Sequence, residues 1–172
     1  MRHLKILVLG PQGCGKTTII RQVTKNTVTT EVDGRTIGLD FGVVEKKGSV
    51  IHLFGSPGMQ QLDIVRKALA PGSDGVVLVV DSTNAKSVIE GERYLREVFG
   101  SQPPPVVVAA NKQDVAGALS PEQIRAMLSF PAVVYPTSAS QGIGLEHLLA
   151  GFVGQLLEMG KGCDITTLLK NA

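Results

Sequence analysis

Cysteine is scarce in this chain. Only Cys14 and Cys163 occur, far apart, and the first lies inside a glycine loop. That argues against a disulfide framework and makes a reducing cytoplasm the expected location. Net charge is scarce too: seventeen Lys and Arg against fifteen Asp and Glu leave +2, too little to hold nucleic acid or an acidic membrane surface. No apolar run reaches bilayer-spanning length, and the start MRHLKILVLG enters a short strand without the apolar stretch and small-residue cleavage site of a secretion signal. Arg2 in second place and the ending LLKNA match no myristoylation or prenylation motif. No direct membrane anchor is therefore expected, and any membrane contact would run through a partner. There is no internal repeat.

What is present is enough for one domain. A chain of 172 residues with a hydrophobic share of 43% can bury a core without metals or disulfides, and its richness in aliphatic residues suits a parallel sheet covered on both faces. Apolar runs predict strands at Leu4–Leu9, Leu39–Lys46, Ser49–Phe54, Gly75–Val80, Pro105–Ala110 and Ala132–Pro136. Helix-period segments predict helices at Lys16–Asn26, Leu62–Leu69, Ala85–Phe99, Pro121–Ser129 and Gly144–Met159. Ser120, Pro121 and Gln123 form a helix-start signature, and Gly48 predicts a hairpin between the second and third strands. The alternation implies an α/β fold: a three-layer sandwich around a six-stranded, mostly parallel sheet with one antiparallel edge strand, binding ligands at the carboxyl ends of its strands. Residues 1–160 read as this domain and 161–172 as a C-terminal tail, in which ITTLLKNA is either loose or a short docked helix. SQPPPV at Ser101–Val106 reads as a stiff loop.

Directly after the first strand comes GPQGCGKT, Gly10 to Thr17, which matches G-x-x-x-x-G-K-[ST] in the strand–loop–helix context that gives this motif its meaning. Phosphates concentrate negative charge; a glycine turn aims several backbone N–H groups inward, and the following helix presents its positive end. Lys16 would reach the terminal phosphates and Thr17 would offer its hydroxyl to Mg²⁺, while Gly13 and Gly15 keep side chains out of the way. Gln12, Cys14 and Thr18 complete the candidate phosphate contacts, Cys14 as a small filler. This motif leaves ATP and GTP both open.

The base is decided by NKQD, Asn111 to Asp114, after the apolar strand PVVVAA. A carboxylate accepts two hydrogen bonds from an edge carrying two adjacent donors, which guanine has and adenine lacks, so Asp114 is the candidate base reader. Lys112 would lay its stem along the ring, and Asn111 would tie this loop to the phosphate loop. TSAS follows the next strand at Thr137 to Ser140; there the N–H of Ala139 would meet guanine's carbonyl oxygen, with Ser138 and Ser140 beside it.

GPQGCGKT, NKQD and TSA, in this order on successive strand ends, resemble the phosphate- and guanine-binding motifs of the Ras-like small GTPases. The resemblance runs from Leu4 to about Met159 and implies a P-loop NTPase sandwich, a Mg²⁺–GTP site and two loops whose shape depends on the γ-phosphate. TIGLDF is similar to the TIG-x-D-F of Rab-type and the TIG of Arf-type members, implying that Thr36 is the second protein ligand to Mg²⁺, with Thr29 and Thr30 as rivals. Asp40 is expected on the surface of the edge strand, as a partner contact.

LFGSPGMQQL, Leu53 to Leu62, departs from the D-x-x-G-Q of that superfamily. The glycine matches Gly58, whose N–H would bond the γ-phosphate. The Asp that holds the Mg²⁺ shell is replaced by Gly55, and the Gln that orients water by Met59. The wording is similar to the FG-[ST]-PG-Q of prokaryotic Ras-like GTPases. Gln60, one residue on, would serve only if the turn is shifted; Gln12 either crowds the space an arginine finger uses or itself orients water. The resulting expectation is a GTP-binding switch with slow intrinsic hydrolysis, dependent on an activating partner, with Lys16, Gly58 and Gln60 as catalytic residues. Effectors, and pairing of two copies through the switch face or the exposed edge strand, are its expected interactions. The alternative is a non-hydrolysing GTP-binding subunit that supports an interface; an ATPase or small-molecule kinase is disfavoured by NKQD.

Overall fold

In the computed structural model, residues 1–24, 27–29, 39–58 and 63–161 are described, with 27–29 and 161 as backbone alone. In chain order the elements are β1 (Arg2–Leu9), α1 (Lys16–Val23), β2 (Thr27–Thr29), β3 (Asp40–Lys46), β4 (Ser49–Gly55), α2 (Asp63–Leu69), β5 (Gly75–Asp81), α3 (Ala85–Phe99), β6 (Val106–Asn111), α4 (Pro121–Met127), β7 (Val133–Pro136) and α5 (Leu145–Lys161). Each expected strand and helix is present. α1 stops short of Asn26 because Thr24 turns to extended backbone (φ −116°, ψ 142°) and spends its hydroxyl on the Ile20 carbonyl. The tail, 162–172, lies outside the described residues.

The six expected strands form one sheet in the order β3-β4-β1-β5-β6-β7, parallel except where β3 runs against β4. A three-residue strand, β2, pairs antiparallel outside β3 over Asp40–Gly42. This alters one expectation: the first part of β3 is not a bare edge, so only its Val43–Lys46 end lies beyond β2. Side chains of β1 alternate between two cores, as strand geometry requires. Leu4, Ile6 and Val8 join Ile20 of α1 and Phe152 and Val153 of α5 on one face; Leu7 and Leu9 join Val88 and Leu95 of α3 and Ile124 of α4 on the other. Burial on both faces explains why β5 reads GVVLVVD, with six successive buried residues.

Local chemistry fixes the connections. Lys47 (φ 50°) and Gly48 (φ 69°) both take left-handed backbone between the paired Lys46 and Ser49, the two-residue turn that suits a twisted hairpin. Ser120 accepts from the Gln123 N–H and the Gln123 side chain accepts from the Ser120 N–H, capping α4 with Pro121 in its first turn. Chain direction across the sheet reverses at β1: β4 lies on one side of it and β5 on the other. The crevice at its carboxyl end is where an open α/β sheet binds ligands.

Candidate functional site

The loop from Gly10 to Gly15 leaves β1 at that reversal point and turns into α1. Gly15 has φ 107°, a conformation side chains avoid, and a Cβ there would collide with the Asn111 side chain. Glycine is needed twice over at this position. Cys14 is 1% exposed, and burial raises its thiol pKa, with the nearby Lys16 ammonium acting against that rise. It fills space, as its place in the loop suggested, and is poorly suited to redox chemistry. Lys16 is itself buried, its Nζ donating to the carbonyls of Gly10 (2.7 Å) and Pro11 (2.8 Å) and lying 3.7 Å from Cys14 Sγ. Burial lowers its pKa, opposed by its interaction with Cys14 and by the charge of Asp40. An ammonium in such a place gains most from an added anion.

Three strand ends meet through one amide. Asn111, at the end of β6 and 2% exposed, donates from Nδ2 to the Cys14 carbonyl at 2.9 Å and accepts at Oδ1 from the N–H of Ala139 (2.9 Å) and the hydroxyl of Thr137 (3.1 Å). This is the tie between loops that NKQD implied. It also engages the Ala139 N–H, the group expected to meet a base carbonyl, inside the protein. Lys112 stands at φ 66°, a left-handed conformation costing about 1–2 kcal/mol in a non-glycine residue. Its ammonium reaches Asp81 Oδ2 at 2.6 Å. Burial acts to raise the Asp81 pKa, but hydrogen bonds from Lys112 and Thr83 outweigh it and hold the carboxyl below its ordinary value. Asp114 is exposed, one oxygen accepting from Ser138 Oγ at 2.7 Å, with Ser140 Oγ 3.4 Å from that hydroxyl.

These groups surround a cleft of about 280 Å³ lined by Gly13, Gly15, Thr18, Asn111, Lys112, Asp114, Val115, Ala139 and Ser140. Eight of the nine were expected from the motifs. Val115 was missed: it follows Asp114 and adds an apolar wall, and no motif marks it. Ser138 stands behind the cleft, buried, holding Asp114.

At the phosphate end, Gly58 lies over the loop so closely that a Cβ on it would stand 2.5 Å from the Gln12 nitrogen and 2.7 Å from Lys16 Nζ. The turn is held there from outside. Arg66, 1% exposed, donates to the Pro57 carbonyl (3.2 Å) with its guanidinium carbon 4.1 Å from the centre of the Tyr94 ring, and the Tyr94 hydroxyl, which donates to Glu90 Oε1 at 2.8 Å, lies 3.2 Å from the Gly58 carbonyl. Beside it the Ser56 hydroxyl is buried with no hydrogen-bond partner among the described residues. Gln12 is exposed at the lip. Thr36, Thr30, Met59 and Gln60, and the side chain of Thr29, lie outside the described residues.

One expectation is overturned. Asp40, assigned to the surface, is 4% exposed and accepts a hydrogen bond from the Thr17 hydroxyl. The reason is the packing of β3 on α1: Asp40 and Gly42 face inward, where a Cβ on Gly42 would stand 2.5 Å from the Thr24 side chain. A hydroxyl and a carboxylate of this kind are hard oxygen ligands, the chemistry that suits Mg²⁺. Among the described residues no group of three or more His, Cys, Asp or Glu forms a metal cage. A Mg²⁺ ion would therefore be held with help from phosphate oxygens and water, its usual arrangement. Among the described residues no helix is long and apolar enough to cross a membrane.

Comparison with known proteins agrees with this geometry. The model of the ADP-ribosylation factor family matches residues 1–153. The chain is similar to ADP-ribosylation factor-like protein 1 of Caenorhabditis elegans, 29% identical over 164 residues and covering 90% of each chain. It is similar to ADP-ribosylation factor-like protein 3 of Chlamydomonas reinhardtii, 28% identical over 152 residues, covering 83% of this chain and 85% of the relative. An uncharacterized protein of Methanocaldococcus jannaschii is 25% identical over 147 residues, 86% of this chain and 93% of that one.

Proposed function

The chain belongs to the ADP-ribosylation factor family of Ras-like small GTPases, and from that premise we propose a guanine-nucleotide switch that hydrolyses GTP slowly by itself and is reset by an activating partner. Binding of GTP and GDP follows from the family; the rate and its control are this proposal. What carries it is Asn111, whose three hydrogen bonds join the phosphate loop, the NKQD turn and the TSA loop around one cleft.

Each residue has a part in such a cycle. The Asp114 oxygens would accept from the two guanine donors, while Lys112 and Val115 wall the ring. Gly13, Cys14, Gly15 and Thr18 would present backbone N–H groups to the phosphates, and Lys16 would neutralise the terminal ones. Gly58, already poised over Lys16 and Gln12, would give its N–H to the γ-phosphate. The hydroxyls of Thr17 and Thr36 would hold Mg²⁺, which when bound would supply charge neutralisation for the phosphate oxygens.

Hydrolysis needs a group that orients water, and Met59 has no polar atom able to do so. Gln12 at the lip and Gln60 are the side chains left for that role. Neither occupies the position that aligns water in relatives, so the unaided rate is low. An arginine supplied by a partner accelerates such reactions by ~10³–10⁵-fold, enough to restore a cycle. Single-turnover phosphate release from GTP-loaded protein tests this: slow release alone, accelerated at least ~10³-fold by cell extract, is the expected result. Release that stays absent with every extract would instead support the non-hydrolysing subunit.

A further inference from the structure

We infer that Asp40, on β3, takes over the role of the aspartate missing from the end of β4, holding the hydration shell of Mg²⁺ from the neighbouring strand. The inference rests on the Mg²⁺–nucleotide site proposed above. It starts from a vacancy in sequence: Gly55 stands where related GTPases carry the carboxylate that grips the ion's water. The structure places another carboxylate beside that position. β3 and β4 pair with Asp40 opposite Gly55, and a Cβ built on Gly55 would come 2.9 Å from the Cβ of Asp40 and 2.8 Å from Ile20 Cδ1. A side chain at 55 and the present one at 40 would compete for the same space, so glycine at 55 is what lets Asp40 turn inward.

Its bonding fits the task. Asp40 is 4% exposed, and its Oδ2 accepts from the Thr17 hydroxyl, the loop group offered to Mg²⁺. With its proton committed to Asp40, that hydroxyl presents lone pairs to the cation. A carboxylate has about four acceptor positions, so accepting from Thr17 is compatible with accepting from a water of the ion as well, and its charge is close enough to act on Lys16. With GDP bound, the ion would thus meet the Thr17 hydroxyl directly and one carboxylate through water, that carboxylate being delivered from the adjacent strand; Thr36 would join only with GTP.

The test uses the full chain loaded with a fluorescent GDP, following its release while free Mg²⁺ is varied by an EDTA buffer. Outer-shell partners of metal ligands contribute roughly 10–100-fold in metal affinity. Asp40→Asn keeps an acceptor for Thr17 but removes the charge, and should raise the Mg²⁺ concentration for half-maximal retention by about that factor. Its melting temperature in EDTA without nucleotide should match the wild type, which a merely structural role would not give. The pair Asp40→Gly with Gly55→Asp, returning the carboxylate to β4, should recover most of the lost Mg²⁺ affinity. An unchanged Mg²⁺ requirement in Asp40→Asn would overturn the inference while leaving the nucleotide site intact. So would a folded double variant as weak as the single one. A wild type whose GDP retention ignores Mg²⁺ would remove the metal site itself and this inference with it.

Discussion

Asp114 is exposed, and Ser138 Oγ donates to one of its oxygens at 2.7 Å, which restrains the plane of the carboxylate. Asp114→Asn would turn one acceptor into a donor facing guanine's own donors. Hydrogen bonds to charged groups contribute ~1.5–3 kcal/mol each, so GDP affinity should fall about 100-fold or more, with no change in melting temperature of the nucleotide-free protein. Fluorescent-GDP titration reads the first and a thermal scan the second. Asp114 could be picked out as a candidate because the residues proposed to read the base sit in a contiguous motif, NKQD, at a strand end. The role proposed for Asp40 could not, because it depends on contacts through space with Thr17 and Gly55 on other elements. A signal did exist: the two-residue turn at Lys47–Gly48 fixes the hairpin register, and counting back from it pairs Asp40 with the anomalous Gly55. Taking β3 as a bare edge strand hid its meaning.

Among the elements, the central strands were legible almost to the residue, because burial on both faces leaves an unbroken aliphatic run between glycine-marked loops. Helix ends were less so: α1 stops at Val23 and α4 at Met127, where Thr24 and Leu128 turn to extended backbone without a glycine or proline to announce it. The fastening of the FGSPG turn was invisible in sequence. Arg66 looks like one more charged residue on a short helix, yet it is buried against Tyr94 and bonded to Pro57, and it lies 3.9 Å from Glu97. Arg66→Ala should cost about 2–4 kcal/mol, from lost stem packing, the cation–π contact and a vacated core position. Urea unfolding checks this. A loss below 0.5 kcal/mol, the ordinary scale for a surface substitution, would show that the turn is held by other contacts.

On the scale of the whole molecule, the order in which strands are added switches sides at β1, and the loops that leave the strand ends converge on one cleft. In the proposed cycle, base selection and phosphate recognition would depend on the same tie, Asn111, so the nucleotide-free and nucleotide-bound forms should differ in the order of all three loops together. The overall architecture could be read from strand–helix alternation, since each motif named the strand end it occupies. Harder to read were the placement of Asp40 beside Gly55, which has to be counted out from the hairpin register, and the lining residue Val115, which carries no chemistry of its own.

The central claim is that this cleft selects guanine. Isothermal titration of the nucleotide-free protein with GDP and with ADP, both in Mg²⁺, tests it most directly. Tight GDP binding with ADP at least ~100-fold weaker is the predicted result, since adenine offers Asp114 no matching pair of donors. Equal affinities, or a preference for ADP, would contradict the account.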